Sequence, residues 1–444
     1  MNTPICDFVR SYAEKETVRL HMPGHKGVSL TGFEKHDITE INGADSLYEA
    51  GGIIKESEFN AGRLFGASTF YSTEGSSLSI RAMLYLACLC AEPKGAKPLI
   101  LAGRNAHKVF VSTAALLDFE VEWLYPESNS SYLSCKVTSE EVDKKLCTLK
   151  RKPIAVYLTS PDYLGNEVDI KSIADVCHKH GVLLLVDNAH GAYLKFLPES
   201  RHPIDLGADA CSDSAHKTLP VLTGGAYLHI SKSAPEVFKE RAKDALALFG
   251  STSPSYLILQ SLDMANKYIS EGYISELAGF VRKVSELKAR LKENGFVLYG
   301  NEELKITIMT KPYGYNGNDF ADILEGNGVV CEFSDLDFVV MMLTPQIKDK
   351  ISLISDILVS VPKKEPIDSG TPKLSTPERV IGIREAYFSK STVVNVDSTE
   401  GRILANASVG CPPAVPIVVS GERISREAIE CFKYYGVEAC TVVE

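Results

Sequence analysis

Short apolar runs alternate with longer amphipathic stretches in the middle of the chain, between about residues 61 and 231. The runs have the length of buried strands, and the stretches between them show helical spacing. The predicted order is helix 77–91, strand 97–102, helix 107–117, strand 119–125, helix 138–149, strand 153–159, helix 169–180, strand 182–187, strand 208–211 and strand 224–230. This alternation predicts a mainly parallel sheet with right-handed crossovers.

The regions on either side have a different pattern. Residues 1–60 begin with a predicted helix at about 4–16 and continue as a passage rich in glycine and acidic residues, with little periodicity. Residues 234–295 show the apolar spacing of long helices. The rest is predicted to contain strands at 296–299, 305–310, 328–333 and 338–343, helices between them, and an exposed Pro/Lys/Ser-rich loop at 361–378. We expect an N-terminal arm (1–60), a large domain (61–295) and a smaller α/β domain (296–444).

The composition of the chain excludes several classes of function. The chain has 444 residues, a formal charge of −10 and no dense Lys/Arg stripe, which argues against nucleic acid or an anionic membrane as partner and suits a cationic small substrate. Its 11 cysteines are scattered without C-x-x-C pairs, as in reduced cytoplasmic proteins. A signal-peptide pattern, a run of about twenty apolar residues, metal-ligand spacing, a dinucleotide fingerprint and a P-loop are all missing from the sequence. We therefore expect a soluble cytoplasmic protein without a metal.

Candidate chemistry centres on Lys217, in the stretch S-D-S-A-H-K-T-L-P at 212–220. A lysine held among small residues on a turn can lose hydration, and its neutral amine can then attack a carbonyl to form a Schiff base. Upstream, a continuous apolar run stops at Asp187, which places a carboxylate at the carboxyl end of a predicted strand, where ligands bind in open α/β sheets. A lysine and a carboxylate are what pyridoxal 5'-phosphate requires, although Asp187 could instead cap the next helix.

Two further stretches favour the same cofactor. Gly75, Ser76 and Ser77 lie where a turn becomes a helix, so that backbone N–H groups and two hydroxyls could hold a phosphate; an ordinary serine N-cap is the alternative. His107 follows a predicted strand and precedes a helix. Its imidazole could stack on a flat ring, or it could be structural.

These residues belong to a set of motifs that resembles the Orn/Lys/Arg decarboxylase family, the fold-type I pyridoxal-phosphate enzymes that decarboxylate basic amino acids. The motifs run in the order of that family over nearly the whole chain. They are H-M-P-G-H-K-G (21–27), D-I-T-E-I-N-G-A-D-S-L (37–47), E-G-S-S (74–77), R-N-A-H-K (104–108), T-S-P-D-Y-L-G (159–165), V-D-N-A-H-G-A (186–192), S-A-H-K-T-L (214–219) and P-P-A-V-P-I-V-V-S-G-E-R-I (412–424).

The resemblance implies a fold, a reaction and a set of residue roles. It implies the aspartate aminotransferase-like α/β fold, in a short form without the N-terminal wing domain of large family members, and decarboxylation of arginine, lysine or ornithine for polyamine synthesis. Lys217 would carry the cofactor and Asp187 would pair with its ring nitrogen. The remaining implied contacts are ring stacking by His107, ring packing by Ala189, phosphate binding by Gly75, Ser76 and Ser77, cofactor binding by His190, and phosphate or proton-transfer contacts by Ser214 and His216.

Two departures concern the neighbourhood of the substrate. Family members usually carry D-E-A-H where this chain has Asp187-Asn188-Ala189-His190, so a carboxylate is expected to be missing there. The passage A-N-A-S-V-G-C-P-P at 405–413 lacks an acidic residue that is common in the family. An aminotransferase, a β-eliminating lyase and a non-catalytic pyridoxal-phosphate-binding homologue remain alternatives, since they share the fold and the Lys/Asp pair.

The acidic stretch 37–58 is predicted to lie across a subunit boundary of a homodimer with a shared active site. It has too little periodicity for an element of its own. At least one of its carboxylates is expected to attract the distal cation of a basic substrate, whereas most of them are expected to be solvated or paired with Arg19, Lys26 or Lys55. The carboxylates are those of Asp37, Glu40, Asp45, Glu49, Glu56 and Glu58.

Overall fold

The computed structural model describes residues 1–91, 96–125, 131–368, 370–372, 376–406 and 413–444. The chain divides into two compact units. The first consists of Met1–Glu92 and Ile170–Leu277, and the second of Pro93–Asp169 and Ala278–Glu444. The division predicted from the sequence, at residues 60 and 295, stays a prediction.

Strands of the first unit hydrogen-bond in the order β1-β7-β6-β5, and β5 and β6 are parallel, with Asp187 beside Ser212. The other two pairs are antiparallel. The strands are β1 (Ser68–Ser72), β5 (Leu183–Asp187), β6 (Ala210–Asp213) and β7 (Ala226–Ile230). The helices are α1 (Pro4–Glu14), α2 (Ile53–Phe65), α3 (Gly75–Leu89), α6 (Ile170–Lys179), α7 (Ala215–Thr218), α8 (Glu236–Glu240), α9 (Ala242–Phe249) and α10 (Tyr256–Tyr268), with a 3-10 turn at Ala192–Phe196 and a π turn at Ile269–Tyr273.

The second unit contains three groups of paired strands. Strands β4-β2-β3 pair in parallel, whereas β10-β11-β9-β8 and β12-β14-β13 are antiparallel. The strands are β2 (Leu99–Gly103), β3 (Glu120–Leu124), β4 (Ala155–Thr159), β8 (Val297–Tyr299), β9 (Lys305–Met309), β10 (Phe333–Ser334), β11 (Phe338–Met342), β12 (Ser391–Asn395), β13 (Leu404–Asn406) and β14 (Ala439–Val443). The helices are α4 (Lys108–Leu117), α5 (Ser139–Thr148), α12 (Gly317–Gly326), α13 (Ile351–Ser360), α14 (Ile383–Phe388) and α15 (Arg426–Tyr434), and α11 (Ile274–Glu293) begins in the first unit. Further 3-10 turns are Lys311–Tyr313, Pro345–Ile347 and Val396–Ser398.

The predicted alternation is confirmed, with most element ends within three residues of the prediction. One strand is wrong: of the residues 328–333, only Phe333 is in a strand, in the pair Phe333–Ser334. The antiparallel strand β1 was not foreseen. The loop predicted at 361–378 lies partly outside the described residues, which omit 369 and 373–375.

The prediction that 37–58 forms no element is also wrong, because α2 begins at Ile53. The Asp45 carboxylate caps this helix from a distance in sequence. It accepts hydrogen bonds from the backbone N–H groups of Gly51, Gly52, Ile54 and Lys55, at 2.8 to 3.4 Å. These N–H groups lie at the start of the helix and have no acceptor within it. Asp45 supplies the acceptor from a distance in sequence, so no local pattern marked where the helix begins.

The irregular arm before α2 is held by Arg19, which is 8% exposed. Its guanidinium donates to the backbone carbonyls of Glu34, Lys35 and Asp37, at 2.7 to 3.4 Å, and lies over the ring of Tyr12. Arg19 thus holds the backbone of the arm, which does not favour the alternative that it pairs with one of the acidic side chains. Among the residues that the structure describes, no helix has the length and apolar character needed to cross a membrane.

Candidate active site

Lys217 lies on a single helical turn directly after strand β6. The turn α7 is closed by hydrogen bonds from Lys217 N to Ser214 O (3.0 Å) and from Leu219 N to Ala215 O (2.8 Å). The side chain is half-buried, and its Nζ atom lies 3.0 Å from Nε2 of His190, which is 4% exposed. An imidazole next to the amine can accept or return a proton at Nζ.

Asp187 is the last residue of β5 and is 3% exposed. Its Oδ1 atom accepts a hydrogen bond from Ala189 N at 3.3 Å. The next helical turn begins only at Ala192 and has Gly191 at its N-cap, so Asp187 is not the N-cap residue of that turn. Since β5 and β6 are parallel and Lys217 follows β6, the carboxylate and the amine belong to the same carboxyl edge of these two strands.

Two neighbouring glycines hold the start of α3 next to the turn of Lys217. Gly224 O accepts from Gly75 N at 2.7 Å, and Gly225 O accepts from His216 N at 3.1 Å. His216 also donates from Nδ1 to Gly225 O at 3.0 Å. A Cβ atom on Gly224 would lie 2.9 Å from the carbonyl oxygen of Thr73, so a larger residue would push the two segments apart.

The first turn of α3 has the geometry expected of an anion site. Gly75 has a φ of +71°, which favours glycine at this turn. Ser76 and Ser77 follow it and are half-buried. Backbone N–H groups in the first helical turn have no acceptor within the helix, and their dipoles favour a negative charge. The side chain of Glu74 does not cap these groups, since its Oε1 accepts from Ser251 N at 2.6 Å.

Three buried hydroxyl groups near Lys217 have no hydrogen-bond partner among the described residues. We call them the unbonded hydroxyls. They are those of Ser212, Ser214 and Thr218. A buried hydroxyl without a partner is uncommon in proteins, because it has lost water and gained nothing in return. Such groups are consistent with a polar molecule that binds here.

A second buried group, which we call the Asp213 cluster, consists of Asp213, Asn188, His202 and His229. Asp213 accepts from Asn188 Nδ2 at 2.7 Å, and its Oδ2 lies 3.0 Å from His202 Nε2 and 3.2 Å from His229 Nε2. Burial by itself would raise the pKa of Asp213, but the two imidazoles and the hydrogen bonds lower it below its usual range. Asp213 is therefore a buried carboxylate that keeps its negative charge.

The Asp213 cluster corrects the expectation that Asn188 leaves this place without a carboxylate. Asn188 acts as a donor to a carboxylate that comes from the neighbouring strand. A glutamate at position 188 would bring a second negative charge against Asp213. The other departure cannot be described in the same way, since residues 407–412 lie outside the described part of the chain.

The structure brings together most of the predicted site residues of the first unit, but some of their contacts differ from those predicted. His190 Nε2 contacts Lys217 Nζ at 3.0 Å, whereas His216 donates to Gly225 O, and Ala189 is half-buried between Asn188 and His190. His107 belongs to the second unit, where it is the N-cap of α4 and its Nδ1 accepts from Val109 N at 3.1 Å. Its stacking role stays a prediction.

The sequence reasoning missed Asp213 and the link made by Gly224 and Gly225. A signal for Asp213 was present, because an acidic residue in a small, buried strand four positions before the lysine is unusual. Its partners His202 and His229 carry no such signal, since they are brought to it only by the packing of the unit.

Comparison with known proteins identifies the family. The model of the Orn/Lys/Arg decarboxylase major domain matches residues 3–308, and that of the Orn/Lys/Arg decarboxylase C-terminal domain matches residues 376–439. An arginine decarboxylase of Bacillus subtilis is 28% identical over 462 residues, covering 96% of this chain and 92% of the relative.

Solved structures agree on the fold. The lysine decarboxylase of Francisella novicida has a TM-score of 0.81 at 16% identity, covering 100% of this chain and 81% of that one. An alanine–glyoxylate aminotransferase from Nostoc has a TM-score of 0.55 at 17% identity, covering 69% and 85%. The predicted fold-type I architecture is confirmed.

Pyridoxal phosphate fits the residues of the first unit. A half-buried lysine, a buried carboxylate at a strand end, a glycine-initiated helix and the unbonded hydroxyls match its aldehyde, ring nitrogen and phosphate. The chain belongs to the Orn/Lys/Arg decarboxylase family and is a pyridoxal-phosphate-dependent amino acid decarboxylase.

Proposed function

We propose that this enzyme decarboxylates a basic amino acid to the corresponding amine and CO2, and that the amine feeds polyamine synthesis. The observation that carries the proposal is the contact between Lys217 Nζ and His190 Nε2 at the strand edge that also holds Asp187. Arginine is the first substrate to test, because the relative from Bacillus subtilis that covers nearly the whole chain is an arginine decarboxylase.

When bound, pyridoxal phosphate supplies an electron sink for the bond that breaks at Cα. In our proposal Lys217 holds the cofactor through Nζ, and the Asp187 carboxylate keeps the proton on the ring nitrogen. The N–H groups of Ser76 and Ser77 and the Ser214 hydroxyl bind the phosphate. His190 takes a proton from Nζ or returns it, because its Nε2 lies at hydrogen-bond distance.

We propose that an exposed acidic side chain of the stretch 37–58 binds the distal cation of the substrate. Asp45 caps α2, and Glu58 is buried and bonded to Lys243 Nζ (2.6 Å) and Tyr71 N (2.9 Å), so neither is suited to a substrate. Glu40 and Glu49 are exposed. Glu40 and Glu49 therefore remain candidates for the contact, and we propose Glu49 as the first to test.

Replacing Glu49 by Gln should raise KM for the basic substrate about five- to tenfold, since an exposed pair contributes roughly 1 kcal/mol. The kcat value and cofactor absorbance should not change. Glu293→Gln, an exposed acid on α11, is the matched control. An unchanged KM in Glu49→Gln would remove this residue from the proposal.

A second copy of the chain is proposed to cover the arm. Six large apolar side chains between residues 18 and 33 are 64% to 90% exposed. They are Val18, Leu20, Met22, Val28, Leu30 and Phe33. An exposed patch of this kind marks an interaction site, and a homodimer with a shared active site would bury it. Sedimentation of the holoenzyme tests this: a monomer with full activity would contradict it.

The substrate is tested by incubating the holoenzyme with arginine, lysine and ornithine and measuring CO2 together with the amine product. Keto-acid and ammonia assays run in parallel. We expect CO2 and amine in equal amounts from one basic amino acid. Release of CO2 only from a neutral or acidic amino acid would overturn the substrate class while leaving the decarboxylase chemistry in place.

A further inference from the structure

A pocket of about 480 Å³ lies in the second unit. Its walls come from strand β3, from residues 379–385 including the start of α14, and from the turn 419–422. No residue of this pocket is among the residues proposed for catalysis. The volume is sufficient for a small metabolite with several polar groups.

Two arginines, Arg379 and Arg384, line the pocket and bring positive charge to it. Arg379 donates from Nη1 to the carbonyl of Val121 at 3.0 Å. Arg384 donates from Nη1 to the carbonyls of Ala115 and Leu116, at 2.7 and 3.2 Å, and lies over the ring of Phe388. Neither guanidinium forms an ion pair with a carboxylate in the described part of the chain. Because a guanidinium has five N–H donors, most of the donors on both side chains remain available to a ligand.

The acidic side chains of the pocket are mostly neutralised. Glu120 pairs with Arg151 at 2.7 Å, Asp118 with Lys97 at 2.7 Å, and Glu422 with Arg104 at 3.0 Å. Glu385, which is exposed, is the remaining acid among the lining residues. Outside these ion pairs, the lining residues carry two positive charges, from Arg379 and Arg384, and one negative charge, from Glu385.

Ser420 supplies an independent observation. It lines the pocket, is 1% exposed, and its Oγ atom has no hydrogen-bond partner among the described residues. A hydroxyl that is shielded from water usually has a partner, so a polar atom of a ligand is the natural acceptor.

We propose that this pocket binds a small oxyanion, with Arg379 and Arg384 pairing with the anionic group and Ser420 donating a hydrogen bond to it. Phosphate esters and polycarboxylates share this chemistry, because the planar guanidinium fork matches the oxygens of both groups. The pocket shares no lining residue with the proposed phosphate site of the cofactor.

The test is calorimetric titration of the holoenzyme, whose cofactor fills its own phosphate site, with pyrophosphate and with citrate at constant ionic strength. We expect saturable binding of at least one probe, and the preferred probe separates phosphate from carboxylate ligands. The double variant Arg379→Gln/Arg384→Gln should weaken binding at least about tenfold. Arg426→Gln, which changes an exposed arginine on α15, should bind like the wild type.

Ser420→Ala separates a ligand site from a structural role. Removing a hydroxyl that has no partner should leave Tm unchanged or raise it in the absence of the probe, and should reduce the shift in Tm that the probe produces. The proposal is overturned if neither probe binds at about 10 mM, or if the double variant binds as tightly as Arg426→Gln.

Discussion

Asp213 and the unbonded hydroxyls are close in sequence but differ in whether their polar atoms have hydrogen-bond partners. Asp213 accepts from an amide and two imidazoles and is fully buried. Ser212 precedes it on β6, where successive side chains point to opposite faces, and neither Ser212 nor Ser214 has a hydroxyl partner among the described residues.

The difference separates a structural role from a ligand-binding role. A buried charge that is bonded at both oxygens has its partners within the fold, and removing one side of such a group destabilises the protein. A buried hydroxyl without a partner costs stability until something binds it. We therefore expect substitutions of Lys217 and of the groups proposed to bind the cofactor to reduce activity without unfolding the protein. Substitutions in the Asp213 cluster are expected to destabilise the protein without reducing the activity of the folded molecules.

The largest effect on activity is expected from Lys217→Ala. CO2 release should fall to background, because the amine that holds the cofactor is lost, while the thermal unfolding curve stays close to that of the wild type. Borohydride reduction of the wild type followed by peptide mapping should place the pyridoxyl label on Lys217. Lys232→Ala, which changes an exposed lysine, is the control; a label on another lysine would refute the assignment.

Asp187→Asn should lower kcat by about a hundredfold or more with little change in Tm. The amide oxygen can still accept from Ala189 N, but the charge that keeps the ring nitrogen protonated is removed. Steady-state kinetics and thermal unfolding measure the two effects. Asp175→Asn, an exposed site on α6, is the control. If Tm collapsed while the activity per folded molecule stayed near normal, Asp187 would be structural.

Asp213→Asn should destabilise the protein by about 2–4 kcal/mol at pH 7, because His202 and His229 lose a charged acceptor. The folded state lowers the pKa of Asp213, so its contribution is present above about pH 4 and is lost as the pH falls below that value. The stability difference between variant and wild type should therefore shrink at low pH. Urea unfolding at several pH values measures it.

The paired variant Asn188→Asp/Asp213→Asn tests whether the hydrogen bond matters beyond the charge. It reverses the polarity of the bond at 2.7 Å and should recover part of the stability that Asp213→Asn loses. Asn188→Asp alone should be destabilised, since it places two carboxylates together. If all three variants were as stable as the wild type, the cluster would contribute nothing to stability.

The smallest effect is expected from Ser214→Ala. Without cofactor, its stability should be unchanged or higher by up to about 1 kcal/mol, because an unsatisfied hydroxyl has been removed. Cofactor affinity should fall about fivefold, which is the loss of one hydrogen bond. Titration of the cofactor-free protein with pyridoxal phosphate measures this, with Ser270→Ala at an exposed position as control. Unchanged affinity would mean that Ser214 does not bind the cofactor.

The sequence alone was sufficient for the alternation of helices and strands, the family motifs, and the candidates Lys217 and Asp187. These features are local, because hydrophobic periodicity, turn residues and short motifs each depend on residues that are only a few positions apart in the sequence. The sequence did not indicate that Gly224 bonds to Gly75, because these two residues are 149 positions apart in the chain.

Only the tertiary structure decided which polar groups meet. Asp45 caps a helix that starts eight residues later, and Arg19 binds carbonyl groups 15 to 18 residues away. His202 and His229 reach Asp213 from a loop and a neighbouring strand, which turns a residue with no motif of its own into a buried anion. Hydrogen bonds depend on distance and direction in space rather than on spacing along the chain, so the partners of Asn188, Asp213 and Lys217 became visible only in the folded protein.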